Sequence, residues 1–344
     1  MKNEIIFSLG LFGAGDVINT TESASEGNDL SAEMKTFYDK ALIELATPNL
    51  IHDQFGQKRK IPKNGGKSVE FRCFSALPKA TTAITEGVTP TGNKLNVKSI
   101  VSTPEQYGDY IELSDVFELT AVDNTVIEAT KKLADQAGRT LDTIVRNELN
   151  GGTNVMYCPI VNENGSESAV TVRSGLKKGA TLTVKQVYKA AAELKAMNAP
   201  KIDGYYVAII HPYVAYDLMQ DAGDRFLTVG SYSTPNGTFA GEIGCVGGVR
   251  FVETSEAKIF AGDGVSADGS SVFSTLILGA DAYGVTDMEG GIENIVKQKG
   301  YGNDPLNQRS SVGWKAFKSA KRLVEEYMIR VESVSDFSAN ASAN

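Results

Sequence analysis

Between Ser31 and Ala46 the apolar residues Met34, Phe37, Tyr38, Leu42 and Leu45 recur at spacings of three and four, which places them on one helical face, and Pro48 ends the run. From Phe55 to Val116 the period changes. Short alternating runs such as Ser68-Val69-Glu70-Phe71-Arg72 and Tyr107-Gly108-Asp109-Tyr110-Ile111-Glu112-Leu113 are separated by Gly, Pro and Thr, which predicts strands in a long two-stranded excursion. Its middle, Thr81 to Asn93, holds few residues able to build a core, and a lone hairpin is marginal in water, so the support for this segment is expected from a second copy of the chain.

The strongest helical signal is Asp123 to Leu149, where Val126, Leu133, Ala137, Leu141, Ile144, Val145 and Leu149 share one face. Thr125 with Glu128 offers a capping box, and Gly151-Gly152 stops the run. Thr183 with Gln186 repeats the capping pattern before Val187, Tyr188, Ala191, Leu194 and Met197, and this helix ends near Asn198 and Pro200. Tyr205 to Ile210 reads as a buried strand, and His211-Pro212 opens another helix with proline in its first turn. Gly241 to Thr254, Ser271 to Gly279 and Ala282 to Met288 alternate between glycine breaks and predict strands. From Ser311 to Glu332 the two periods compete, with strands favoured around Trp314 and over Tyr327 to Glu332.

At 344 residues the chain exceeds the size at which single cores stop growing, so several lobes are expected. A hydrophobic fraction of 42% and a charged fraction of 22% point to neither a disordered nor a membrane protein. The net charge of −8 without a basic block argues against sequence-specific nucleic-acid binding. The three scattered cysteines, Cys73, Cys158 and Cys245, read as reduced thiols. The run Ile5 to Gly15 has the length of a signal-peptide core, but Glu4 offsets Lys2 and no A-x-A site follows at once. With the polar stretch Asn19 to Asn28 after it, a flexible N-terminal arm is expected.

Candidate chemistry is sparse. Gly65-Gly66-Lys67-Ser68 resembles the end of a phosphate loop, but the required earlier glycine is Ile61; Gly10, Gly13 and Gly15 miss the dinucleotide fingerprint at Ile18. Any histidine chemistry must rest on His52, at the polar end of the first helix, or on His211 at a strand-to-helix junction. Asp263 and Asp268 lack calcium-loop spacing and suit a solvated turn. Glu325-Glu326 diverge as neighbours and read as surface charges. Trp314, Tyr107 and Tyr110 lack the basic groove of a base-stacking site and suit core or interface packing. No catalytic, cofactor-binding or metal residue is assigned, and no cofactor is expected.

Several separate words in one order carry a resemblance: Asp53-Gln54-Phe55-Gly56-Gln57, Ile61-Pro62-Lys63-Asn64-Gly65-Gly66-Lys67, Phe74-Ser75-Ala76-Leu77-Pro78-Lys79-Ala80-Thr81-Thr82, Glu86-Gly87-Val88-Thr89-Pro90, Gln106-Tyr107-Gly108-Asp109-Tyr110 and Leu141-Asp142-Thr143-Ile144-Val145-Arg146. From about Met34 to the C-terminal strands the chain resembles the major capsid proteins of tailed double-stranded DNA bacteriophages. That resemblance implies an α+β Hong Kong phage-type capsid fold. Its expected plan is a flexible N-terminal arm over 1–30, an N-terminal helix over 31–54, an extended β-hairpin loop region over 55–116, and a peripheral domain over 117–182 with a spine helix at 123–149. An axial domain over 183–290 follows, then a return to the peripheral domain and a C-terminal tail over 291–344. Residues 1 to about 28 match nothing in the family pattern.

The implied function is structural and non-enzymatic: copies form the pentamers and hexamers of an icosahedral head that encloses double-stranded DNA. Expected partners are further copies, scaffolding, portal and decoration proteins, with no membrane. The expected place is the virion capsid, assembled in the host bacterial cytoplasm. Gly65-Gly66 and Gly151-Gly152 are candidate joints for five- and six-fold environments. A nanocompartment shell protein of the same fold, a minor phage structural component such as a tail or decoration protein, and an acidic soluble enzyme are the alternatives.

Overall fold

The alternating runs between Gln57 and Ser114 form four strands: β1 Gln57–Ile61, β2 Val69–Phe74, β3 Val97–Ser102 and β4 Glu105–Ser114. They belong to a computed structural model that describes residues 50–74, 77–89, 91–120, 125–162, 164–231, 238–262, 264–338 and 340–344. The expected N-terminal arm and residues 31–49 of the expected first helix lie outside the described residues. A short helix, α1 Asp115–Thr120, follows β4, and then comes the long helix α2 Thr125–Asn150. At 1.5 Å per residue its 26 residues make a rod about 39 Å long.

Beyond it run β5 Val155–Tyr157, β6 Ile160–Val161, β7 Glu167–Ser168, helix α3 Val184–Ala196, β8 Tyr206–Ile210, helix α4 Pro212–Ala222, β9 Leu227–Thr228, β10 Glu242–Val246, β11 Val249–Glu253, β12 Ile259–Phe260 and β13 Val272–Leu278. Three long or late strands close the chain: β14 Tyr283–Lys297, β15 Arg309–Arg322 and β16 Met328–Ser333. The ambiguous segment from Ser311 to Glu332 is therefore strand on both sides of a single turn.

The strands form two main sheets. One is four-stranded in the order β1-β14-β15-β4, and the other is eight-stranded in the order β5-β16-β13-β8-β11-β10-β9, with β12 beside β13. β6 and β7 pair only with each other, and among the first four strands β2 and β3 do the same, from Val69 opposite Ser102 to Phe74 opposite Val97. The two-stranded excursion is thus shorter than the sequence alternation suggests. β1 and β4 share its period but pair with β14 and β15, because they carry the inward residues Ile61 and Leu113 that a sheet over a helix can bury. Sheet membership also crosses the expected boundaries. β5 joins the eight-stranded sheet beside β16, and β14 enters the four-stranded sheet from Tyr283 onward.

Helix α2 spans both sheets. Its Leu133, Ala137 and Leu141 pack against Val312, Trp314 and Ala316 of β15. Two turns on, Val145 and Leu149 pack with Val207, Ile209 and Leu276 of the eight-stranded sheet. The alternate residues of β8, Ala208 and Ile210, face the other way, into a core with Val187, Ala191 and Leu194 of α3 and Val214 and Leu218 of α4. Every residue of β8 is buried, as expected for a central strand covered by helices on both faces.

Two capping expectations change. Thr183 stands at the N-cap of α3 without a side-chain bond, and Gln186 Oε1 is buried with no partner. The carboxylate of Asp221, carried by α4, accepts from Val184 N at 2.7 Å instead, so the cap comes from the neighbouring helix. Thr125 is the first residue inside α2, and Glu128 pairs with Lys131 at 2.6 Å. Among the described residues no helix is long and apolar enough to cross a membrane.

Candidate assembly interface

Among the described residues, the hairpin β2–β3 carries a concentration of uncovered apolar side chains. Phe74, Leu77, Ile84, Val88, Leu95, Val97 and Val101 are all exposed, Ile84 to 76%. Seven large apolar side chains on one arm form a surface of the kind that marks a protein–protein contact. The root of the arm is different. Phe71 is buried against Gly284 of β14, and Ser102 is buried where its hydroxyl donates to Ser319 Oγ at 3.1 Å and accepts from Thr286 Oγ1 at 3.2 Å.

A second uncovered apolar group lies on α1, which buries none of its residues. Its polar Glu118 turns inward, accepting from Ser310 Oγ and pairing with Lys299 at 2.8 Å, while Val116, Phe117 and Leu119 point out, the last 81% exposed. Burial pulls the Glu118 carboxyl upward, but the Lys299 and Ser310 hydrogen bonds outweigh it and hold the group below its ordinary value. This is the reverse of the usual arrangement of a surface helix.

The candidate chemical residues are dispersed, and His52 keeps a buried Nε2 without a hydrogen-bond partner. His52 is buried: its backbone N donates to Asp142 Oδ1 at 2.7 Å and its Nδ1 donates to Asp142 Oδ2 at 2.6 Å, which ties the entering chain to α2. It is therefore buried; the helix whose end it was expected to mark lies outside the described residues. His211 caps α4, with Nδ1 accepting from Tyr213 N at 3.2 Å, and burial pushes its pKa down to about 4. Asp268 accepts from Lys178 N at 2.8 Å and Ser270 N at 3.1 Å in a turn; Asp263 lies outside the described residues. Glu325 is more than a surface charge, since it pairs with Arg322 at 2.6 Å and accepts from Thr153 N.

Gly65-Gly66 forms a turn, with Gly65 N donating to Pro62 O and Gly66 at φ +93°. Gly10, Gly13 and Gly15 lie outside the described residues. Gly151 and Gly152 answer a packing need: a Cβ at 151 would lie 2.7 Å from Arg322 Nη1, and one at 152 would lie 3.1 Å from Glu325 Oε2. Trp314 is buried under α2, Tyr107 is half-buried, and Tyr110 is exposed on β4. Cys73, Cys158 and Cys245 are free thiols, and burial pushes the Cys158 thiol up to about 12.

Two buried charge clusters escaped sequence reading. Lys318 lies between Asp53 at 2.7 Å and Asp287 at 2.9 Å, and the two carboxylates outweigh burial and hold its pKa above the ordinary lysine value. Glu332, fully buried, pairs with Arg173 at 2.6 Å and Arg330 at 2.9 Å. Each cluster is closed by a partner far away in sequence, 265 residues for Asp53 and Lys318 and 159 for Arg173 and Glu332, so no local spacing announces it. A cleft of about 630 Å³ at the hairpin root, walled by Val101, Glu105, Ile144, Glu148 and Lys321, contains no histidine or cysteine. Among the described residues no three His, Cys, Asp or Glu side chains converge as metal ligands.

A family model described as phage capsid protein matches residues 97–328. Among solved structures, the chain is similar to the capsid of Ralstonia phage GP4, with 13% identity and a TM-score of 0.64 over 99% of this chain and 100% of that one. It is also similar to the capsid of cyanophage P-SCSP1u, with 16% identity and a TM-score of 0.58 over 83% and 89% of the two chains. For the capsid of cyanophage Pam1 the identity is 13% and the TM-score 0.57, over 82% and 89%. At these identities the likeness is one of fold. Comparison with curated protein sequences gave no match.

Proposed function

Because the chain belongs to the phage capsid protein family, whose model spans residues 97–328, we propose that it is the major subunit of a tailed-phage head, assembling as pentamers and hexamers into an icosahedral shell around double-stranded DNA. The protein is a self-assembling structural component of a viral particle, with the α+β Hong Kong phage-type capsid fold, and not an enzyme.

The observation that carries the finer reading is the hairpin. Its exposed apolar residues have no core of their own to enter, and a two-stranded arm of this kind needs a surface beneath it. A neighbouring subunit supplies that surface in a shell, where contacts of the obligate kind bury about 2,000 Å² or more. We read the hairpin as the extended loop of the family plan. α2 with the four-stranded sheet is read as the spine and peripheral domain, and the eight-stranded sheet with α3 and α4 as the axial domain. The net charge of −8 suits a wall that holds DNA without adhering to it. Scaffolding, portal and decoration proteins are the partners such a shell requires in the bacterial cytoplasm, where it would assemble before the virion is complete.

The test is expression of the chain, alone and with its neighbouring genes, followed by electron microscopy of the material that elutes in the void volume of a sizing column. Closed shells, tubes or five- and six-membered rings are expected. Shells that carry a protein cargo in place of DNA when recovered from infected or native cells would identify a nanocompartment. A monodisperse monomer under every assembly condition would overturn the reading.

A further inference from the structure

We propose that Phe71 and Gly284 form a socket which, with the Ser102 hydroxyl contacts beside it, sets the angle at which the hairpin leaves the subunit and so selects the curvature of the shell. The inference rests on the assembly role above and assigns two positioning residues to it.

Of the twelve residues in β2 and β3, only Phe71 and Ser102 are fully buried, at 2% and 0% exposure. Both reach the same strand. Phe71 meets Gly284 and Ser102 meets Thr286, two positions further along β14, and residues two apart on a strand share a face. The hairpin is therefore held at two points in a line. One point would leave a pivot, whereas two fix a direction.

Glycine at 284 answers this contact and no backbone demand. Its φ lies outside the left-handed region, and it pairs regularly with Gln57 of β1 and Lys321 of β15. A Cβ there would lie 2.5 Å from Phe71 Cε1 and 2.6 Å from Cζ, closer than real contacts allow, so the ring occupies the space a side chain would need. The ring has little freedom to retreat. The Arg59 guanidinium lies over it at 5.2 Å and also donates to Glu70 O at 3.3 Å, closing the socket from the β1 side.

Leverage gives the socket its consequence. From Phe71 to the end of the hairpin the chain reaches at most about 50 Å at ~3.4 Å per residue, so a tilt of about 10° at the root moves the far end by up to about 9 Å. That displacement exceeds a side-chain diameter, enough to move the exposed Leu77, Ile84 and Val88 off whatever surface receives them.

The experiment measures angle and assembly separately. Nitroxide labels at Thr91→Cys in the hairpin and Lys132→Cys on α2, in a Cys73→Ser background, report the tip-to-body distance in unassembled subunits by pulsed electron resonance. Unlabelled Gly284→Ala, Phe71→Leu and Ser102→Ala proteins are imaged after assembly. Each variant is expected to shift or broaden the distance distribution by several ångströms, and to lower the yield of closed shells of normal diameter at least tenfold, while the subunit still unfolds cooperatively. Phe71→Leu combined with Gly284→Ala frees the clash, so subunit stability is expected to recover while the distribution stays broad. If Gly284→Ala fails to fold, Phe71→Leu and Ser102→Ala carry the test. A folded variant set with the original distance distribution, or with a shifted one and unchanged shells, overturns the inference. Failure of the unaltered chain to assemble would instead count against the assembly role, and the distance measurement would still decide the socket.

Discussion

Replacing His211 by asparagine should flatten the loss of subunit stability in mild acid. His211 is buried at the start of α4, where its Nδ1 accepts from Tyr213 N and its ring lies against Tyr213 and Phe273 at centroid distances of 4.8 and 4.9 Å. An accepting Nδ1 must be unprotonated, and burial independently disfavours the imidazolium, so the folded pKa falls to about 4 from an ordinary 6.5. A depressed histidine pKa means that the unfolded chain takes up the proton first. The neutral ring's contribution is complete above about pH 6.5 and is lost as pH falls toward 4. Integrating one proton across that window gives about 2 kcal/mol lost by pH 5, and more below it.

Asparagine keeps an N-cap acceptor and carries no titrating group, but gives up the ring contacts. Relative to the unaltered protein, His211→Asn should be about 1 kcal/mol less stable at pH 7, and equal or more stable at pH 5. Urea unfolding of unassembled subunits at both pH values reads the difference directly, and the second of the two histidines, His52, is common to both proteins and cancels. A stability gap between the two proteins that is the same at pH 7 and pH 5 would refute the reasoning.

Three further outcomes are expected. Leu77→Ser with Ile84→Ser should leave the urea midpoint of the subunit within about 0.5 kcal/mol of the original while abolishing closed particles in micrographs, because both side chains are exposed in the single chain. Glu332→Gln should cost about 3 kcal/mol by urea unfolding, since Arg173 and the more deeply buried Arg330 both lose their charge partner. Trp314→Ala should cost about 3–5 kcal/mol and loosen amide protection along α2, which packs on that ring.

Sequence pattern revealed those elements whose partners are implicit in their own period. Helix α2 announces itself because Leu133, Ala137 and Leu141 already trace its contact face, and β8 because an all-apolar run of strand length must be covered on both sides. Pattern cannot say which strands meet. The alternation of β1, β2 and β4 looks alike, yet β1 and β4 enter a sheet while β2 leaves it, a difference set by β14 and β15 some two hundred residues later. Polar core residues hide for the same reason. Asp142 sits in α2 like any solvated helix carboxylate until His52 arrives beside it, and the Thr183 and Gln186 pattern promised a cap that Asp221 of α4 supplies.

The hairpin inverts that logic. Its apolar residues Phe74, Leu77, Ile84, Val88 and Leu95 follow no period that would aim them at one face, and in the folded chain they stay exposed together. A segment meant to pack within its own subunit would need a regular spacing to reach a single sheet or helix. A segment that lies across another copy needs side chains where that copy has pockets, and those positions are set by the angle of the arm and not by its local period. Among the described residues of its two strands, Phe71 and Ser102 at the root are the ones that the single chain buries fully. For such a protein the sequence of one chain encodes the arm's anchorage in full and its destination only as unclaimed apolar surface.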